Sequence, residues 1–134
     1  MTSAYTKVNL RDVENSAASY GLSETLEARF ARKDLGAERS GMSYQRLNPN
    51  QRLPFGHRHR DQEELYVVTS GSGWIRLEDT ELELSQGDVI RIAPQVARSF
   101  AAGSDGLELY AFGAGEAGDV ETLPDFWDDA AGVT

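Results

Sequence analysis

Residues 54–73 read PFGHRHRDQEELYVVTSGSG, and this stretch gathers both histidines of the 134-residue chain, a tandem carboxylate and a β-prone run. His57 and His59 are two apart. In an extended segment successive side chains alternate faces, so both imidazoles point the same way, about 7 Å apart along the strand. That is the spacing of two ligands to one centre. After the polar residues 60–62 come Glu63 and Glu64, then Leu65, Tyr66, Val67 and Val68, closed by Gly71 and Gly73. The run reads as a strand with a turn at each end.

Working outward, the chain is 40 % hydrophobic and of a size for one domain, read as residues 1–134 with a core over about 40–113, an N-terminal arm 1–39 and a tail 114–134. It has no cysteine, which excludes disulfides, thiolate metal sites and thiol catalysis. The net charge of −9 argues against a nucleic-acid or anionic-membrane surface, both of which need basic patches. Without a signal pattern or a run long enough to span a bilayer, the chain is read as soluble and cytoplasmic. Ten of the thirteen basic residues fall in residues 1–60 and sixteen of the twenty-two acidic ones in 61–134. This is a solvated acidic surface, or else the two halves meet across a sheet or subunit contact.

On the N-terminal side, Asn9 as a cap, then Leu10, Val13, Ala17 and Tyr20, and Gly21 as a terminator predict a short helix. Leu26, Ala28 and Phe30 alternate with charged neighbours as in an edge strand, 33–41 reads as a polar loop, and 42–47 as a strand. On the C-terminal side, strands are expected at 64–69, 73–78, 81–84, 88–93, 97–101 and 106–113, with turn residues between them. Short strands at this spacing predict an all-β antiparallel sandwich or barrel. The tail is expected to be irregular, with Phe126 and Trp127 packed back onto the domain.

At this point the chain resembles the small single-domain members of the cupin superfamily, whose fold is a double-stranded β-helix, or jelly-roll barrel. The first motif of that family places His-x-His, a Glu and a Gly as His57, His59, Glu64 and Gly71 are placed here; its leading Gly position holds Gln51. The second motif begins at Gly87 and then departs, with Ala93 for Pro, Gln95 for Gly, Arg98 for His and Ala102 for Asn. The resemblance implies one divalent metal ion (Fe, Mn, Zn or Ni) held by His57, His59 and Glu64, two histidines and a carboxylate with open positions. Arg98 puts a fixed cation where the third histidine is missing, which suits an anionic ligand or a pairing with Glu64.

Two functions follow. One is a metal-dependent enzyme of the oxygenase, isomerase or lyase kind acting on a small anionic molecule; the other is a metal-free sensor, carrier or auxiliary protein holding a ligand through Arg98 and the histidines. Alternation places Tyr66 and Phe100 on the pocket side, with Phe55 as a lid. Trp74 is assigned to the outer face or a dimer contact, and the resemblance implies a homodimer.

Overall fold

The computed structural model describes residues 4–128. Its strands are β1 Leu26–Phe30, β2 Ser40–Leu47, β3 Gly56–His59, β4 Glu63–Leu77, β5 Thr80–Ser85, β6 Val89–Ile92, β7 Arg98–Ala114 and β8 Val120–Leu123, with a one-turn α-helix, α1, at Arg32–Leu35. Two of these strands are long and antiparallel to each other, and each serves two layers of one curled sheet. The first half of β4 lies between β6 and the second half of β7, with β2 and β1 beyond. The second half of β4 lies between β5 and the first half of β7, beyond which come β3 and β8. Tyr66, Val68, Ile75, Phe100, Leu107 and Leu109 are buried in the core that results.

Where sequence punctuation suggested four strands, the chain therefore makes two. Gly71 and Gly73 bend β4 instead of ending it, at two shifts of register against β7. On β7, Leu107 pairs with Gly71 and Ala102 with Gly73, so residues 103–106 bulge out while the ladder resumes on each side. Glycine at these positions lets two backbones approach more closely than any side chain would allow.

The N-terminal helix is also corrected. Asn9 caps only a three-residue 3-10 turn, Leu10–Asp12, after which Val13 is extended. A second asparagine, Asn15, then caps another 3-10 turn, Ser16–Tyr20, closed by Gly21 in the left-handed region. The Asn15 carboxamide accepts from Ala17 N (3.1 Å) and from Ala28 N (3.1 Å) on β1, so the bond that pins this arm to the sheet also interrupts the helix. A continuous helix would have to give up that anchor. α1 begins one residue before the stretch read as a loop and runs into it, ending at Gly36 (φ 65°). Among the described residues no helix is long and apolar enough to cross a membrane.

Within the tail, otherwise made of turns over its described residues, Val120–Leu123 forms a strand. β8 adds to the free edge of β3, pairing His59 with Val120 and Gly56 with Leu123, and Arg58 grips Glu121 through two bonds of 2.9 and 3.1 Å. Beyond it Trp127 is buried as expected, its Nε1 donating to Leu53 O at 2.6 Å, with the Arg52 guanidinium 4.4 Å over its ring. Phe126 fills the space above Gly56, where a Cβ would meet Phe126 Cγ at 2.5 Å and Cβ at 2.9 Å. Gly56→Ala is therefore expected to push the 124–128 segment off β3 and cost about 1–3 kcal/mol by overpacking. In a Trp74→Phe background the check is the emission of Trp127, which should shift to the red in the folded variant; unchanged emission would contradict this packing.

Candidate metal centre

β3 presents His57 and His59 from one layer of the curled sheet, and β4 presents Glu64 and Tyr66 from the other. The imidazole rings stand nearly perpendicular, with centroids 5.2 Å apart. Both Nε2 atoms converge on one oxygen: Glu64 Oε1 lies 3.3 Å from His57 Nε2 and 3.2 Å from His59 Nε2. The Tyr66 hydroxyl donates to the same oxygen at 2.5 Å, and Arg98 Nη1 stands 4.0 Å away. His57 is the most open of the three candidate ligands, its side chain 20 % exposed against 12 % for Glu64 and 9 % for His59. Glu63, by contrast, turns outward to Arg91.

Burial opposes charge on Glu64, but the contacts from His57, His59 and Tyr66 outweigh it and hold the carboxyl well below its ordinary range. Burial likewise opposes the imidazolium form of His59, and Glu64 and Asp119 overcome it, so that this histidine is raised. Tyr66 is wholly buried against a carboxylate and is pushed far up, so its phenol stays protonated as a donor.

Arg98 is completely buried at the first position of β7, directly opposite His57. Its Nη2 donates to Ala93 O at 3.1 Å, and its Nη1 reaches Pro94 O at 3.5 Å. The guanidinium thus ties down the turn before β7 while facing Glu64. Phe100 packs edge-on to Tyr66, with centroids 4.9 Å apart, and supports it from within the core. Phe55 packs against the same core.

Sequence reasoning missed Asp119, which precedes β8. Its Oδ1 lies 2.8 Å from His59 Nδ1, while Oδ2 accepts from Asp61 N at 2.9 Å and Gln62 N at 2.8 Å. Burial would raise Asp119; the backbone N–H of Asp61, the His59 imidazole and the backbone N–H of Gln62 instead hold it low. Sixty residues separate Asp119 from His59, and only the β-prone Val-Glu-Thr-Leu after Gly118 hinted at a strand there.

These residues fit a metal ion. The three donor atoms lie within 4.8 Å of one another, and two ligands bound at about 2.1 Å stand roughly 3–3.5 Å apart, close to the two histidine–glutamate separations. His59 Nε2 is buried and makes no hydrogen bond, for although Glu64 Oε1 is 3.2 Å away the two are not aligned for one. With Nδ1 bonded to a carboxylate, the Nε2 lone pair faces a carboxylate oxygen. Two such atoms need a positive charge between them, a proton or a metal.

Known proteins share this fold. The chain is similar in structure to a cupin protein from Bacteroides fragilis, at 26 % identity and a TM-score of 0.69, over 90 % of this chain and 91 % of that one. It is similar in fold to the oxalate decarboxylase of Bacillus subtilis, at 19 % identity and a TM-score of 0.77, over 99 % of this chain and 37 % of that one, so it spans little more than a third of that enzyme. A protein from Photorhabdus luminescens shares the fold at 16 % identity and a TM-score of 0.60, over 84 % of this chain and 88 % of that one. The search of curated proteins found no match. The cupin domain model matches residues 43–112, more than half of the chain and all of β4 to β6, and on that match the chain belongs to the cupin family.

Proposed function

We propose that this cupin holds one divalent metal ion on His57 Nε2, His59 Nε2 and Glu64 Oε1 and uses it, with Arg98, to bind and transform a small anionic molecule. The observation that carries the reading is the buried Nε2 of His59, which makes no hydrogen bond yet faces Glu64 Oε1 at 3.2 Å. When bound, the ion would supply Lewis acidity toward an oxyanion of the ligand.

The chain's own residues would do the rest. Arg98 balances Glu64 before any metal is added, so a divalent ion would leave the centre with an excess of positive charge, which favours a carboxylate or a similar anion. Tyr66 keeps its proton and directs it at Glu64 Oε1, fixing which face of that oxygen stays free. His57, the most open of the three, would stand at the approach to the centre. A small carboxylate as ligand also accords with the fold likeness to an oxalate decarboxylase. The reaction class proposed is that of a small oxygenase, isomerase or lyase.

The test is metal analysis of protein purified without chelator or affinity tag, beside His57→Ala/His59→Ala. The wild type should carry close to one equivalent and the double variant almost none; equal, sub-stoichiometric metal in both would overturn the reading.

The position of Arg98 favours a second reading, a metal-free binding module, because its guanidinium already offers Glu64 a cation at 4.0 Å. Thermal-shift screening of small carboxylates separates the two. Stabilisation that survives excess chelator and vanishes in Arg98→Ala would support the module.

A further inference from the structure

We propose that Asp119 is a positioning residue for this centre, holding His59 in the tautomer that leaves its Nε2 lone pair free for an ion. The inference rests on the metal-binding reading for its purpose, but its geometry does not depend on a metal.

Asp119 is spent entirely on this corner of the barrel. Its Oδ2 accepts the backbone N–H groups of Asp61 and Gln62, the turn that joins β3 to β4. Its Oδ1 faces His59 Nδ1 at 2.8 Å and receives a weaker bond from Gln62 Nε2 at 3.3 Å. An ionised carboxylate has no proton to donate, and of the two that face the ring Asp119 Oδ1 is hydrogen-bonded to Nδ1 at 2.8 Å while Glu64 Oε1, 3.2 Å from Nε2, is not aligned for a bond, so in the neutral ring the proton sits on Nδ1 and Nε2 is left bare. The main chain around it is fixed as well: Val120, the next residue, pairs with His59 across β3 and β8, and Asp119 O accepts from Arg60 N at 3.2 Å. The C-terminal strand thus delivers to the first motif a carboxylate that the motif itself lacks.

Asp119→Asn separates this role from simple support of the turn. The two backbone N–H groups at Oδ2 still require an acceptor, so the carboxamide oxygen must take that place and its NH2 must take the place of Oδ1. There it is a donor facing His59 Nδ1. The imidazole must answer with a lone pair, moving its proton to Nε2 and removing the ligand atom. Gln62 must give up its 3.3 Å bond to Glu116 O if its amide is to present oxygen to the new NH2.

The experiment uses 15N-labelled, metal-free protein at a pH above the histidine titrations, with long-range 1H–15N correlations to show which nitrogen of His59 is protonated. The wild type should show Nδ1–H and Asp119→Asn should show Nε2–H. Zinc affinity, measured by chelator competition, should fall about 10–100-fold in the variant while its thermal melting changes little.

A wild-type His59 protonated on Nε2 would overturn the inference without any variant. So would Asp119→Asn that retains Nδ1–H, or one that loses zinc affinity with no change of tautomer, since that pattern marks support of the turn alone. If the tautomers exchange as expected but the wild type binds no zinc, the role of Asp119 stands and the metal reading fails.

Discussion

Gly71→Ala is expected to destabilise the fold by about 4 kcal/mol, the sum of a left-handed backbone forced on a residue with a Cβ and a collision that cannot relax. Gly71 has φ +77°, and a Cβ there would overlap the Gly106 carbonyl oxygen and lie 2.8 Å from the Gly106 carbon. These are backbone atoms of β7, at the place where β4 and β7 change register, so no rotamer change opens room. Gly87→Ala is the control: its φ of +93° imposes strain, but nothing lies within 4 Å of the added Cβ, and the loss should be only about 1–2 kcal/mol. Urea denaturation of the two variants checks the difference. Equal losses would mean that backbone strain, and not the close approach of the strands, accounts for the glycine.

That glycine also explains what could and could not be read ahead of the structure. The spacing from Glu64 to Gly71 was legible because it measures a length of strand from the centre to the bend, and strand geometry is set by the residues themselves. The common face of His57 and His59 needs only local alternation, whereas Glu64 joined them through the resemblance to the cupin motif. The nature of the bend was not legible. Glycines that end a strand and glycines that let it cross another backbone look alike until the partner strand is in place, which is why β4 and β7 were each read as two.

Long-range pairing hid the rest. Asp119 reaches His59 only because β8 docks on β3, and β8 docks through Arg58 with Glu121 and through Trp127 in its slot, contacts without a local signature. The N-terminal arm was misread for a related reason. Asn15 looked like an interior residue of a helix, yet its side chain serves Ala28 on a strand thirteen residues away. Arg98 was placed by motif alignment, but the direction of a long, flexible side chain is decided by the carbonyls it finds, here those of Ala93 and Pro94.

Arg98→Met should act in opposite directions on the two states of the protein. Without metal, the substitution removes a fully buried cation 4.0 Å from Glu64 Oε1 and leaves the Ala93 and Pro94 carbonyls without their donor. Breaking a buried charge pair from one side costs about 3–5 kcal/mol, and methionine refills enough volume to keep the loss toward the lower figure. With metal, the same cation is a liability. Two unit charges at 4 Å interact by about 4 kcal/mol at an effective dielectric of 20, and a divalent ion bound to Glu64 would feel that repulsion from the guanidinium. Its removal should tighten zinc binding by more than tenfold, since each factor of ten needs only about 1.4 kcal/mol.

The measurement is the gain in melting temperature on adding zinc, which should be larger in Arg98→Met than in the wild type even though the metal-free variant melts lower. If zinc binding weakens instead, Arg98 supports the ligand set and does not oppose it. If neither protein responds to zinc while the variant loses stabilisation by small carboxylates, the guanidinium is itself the ligand-binding group and the metal-free reading holds.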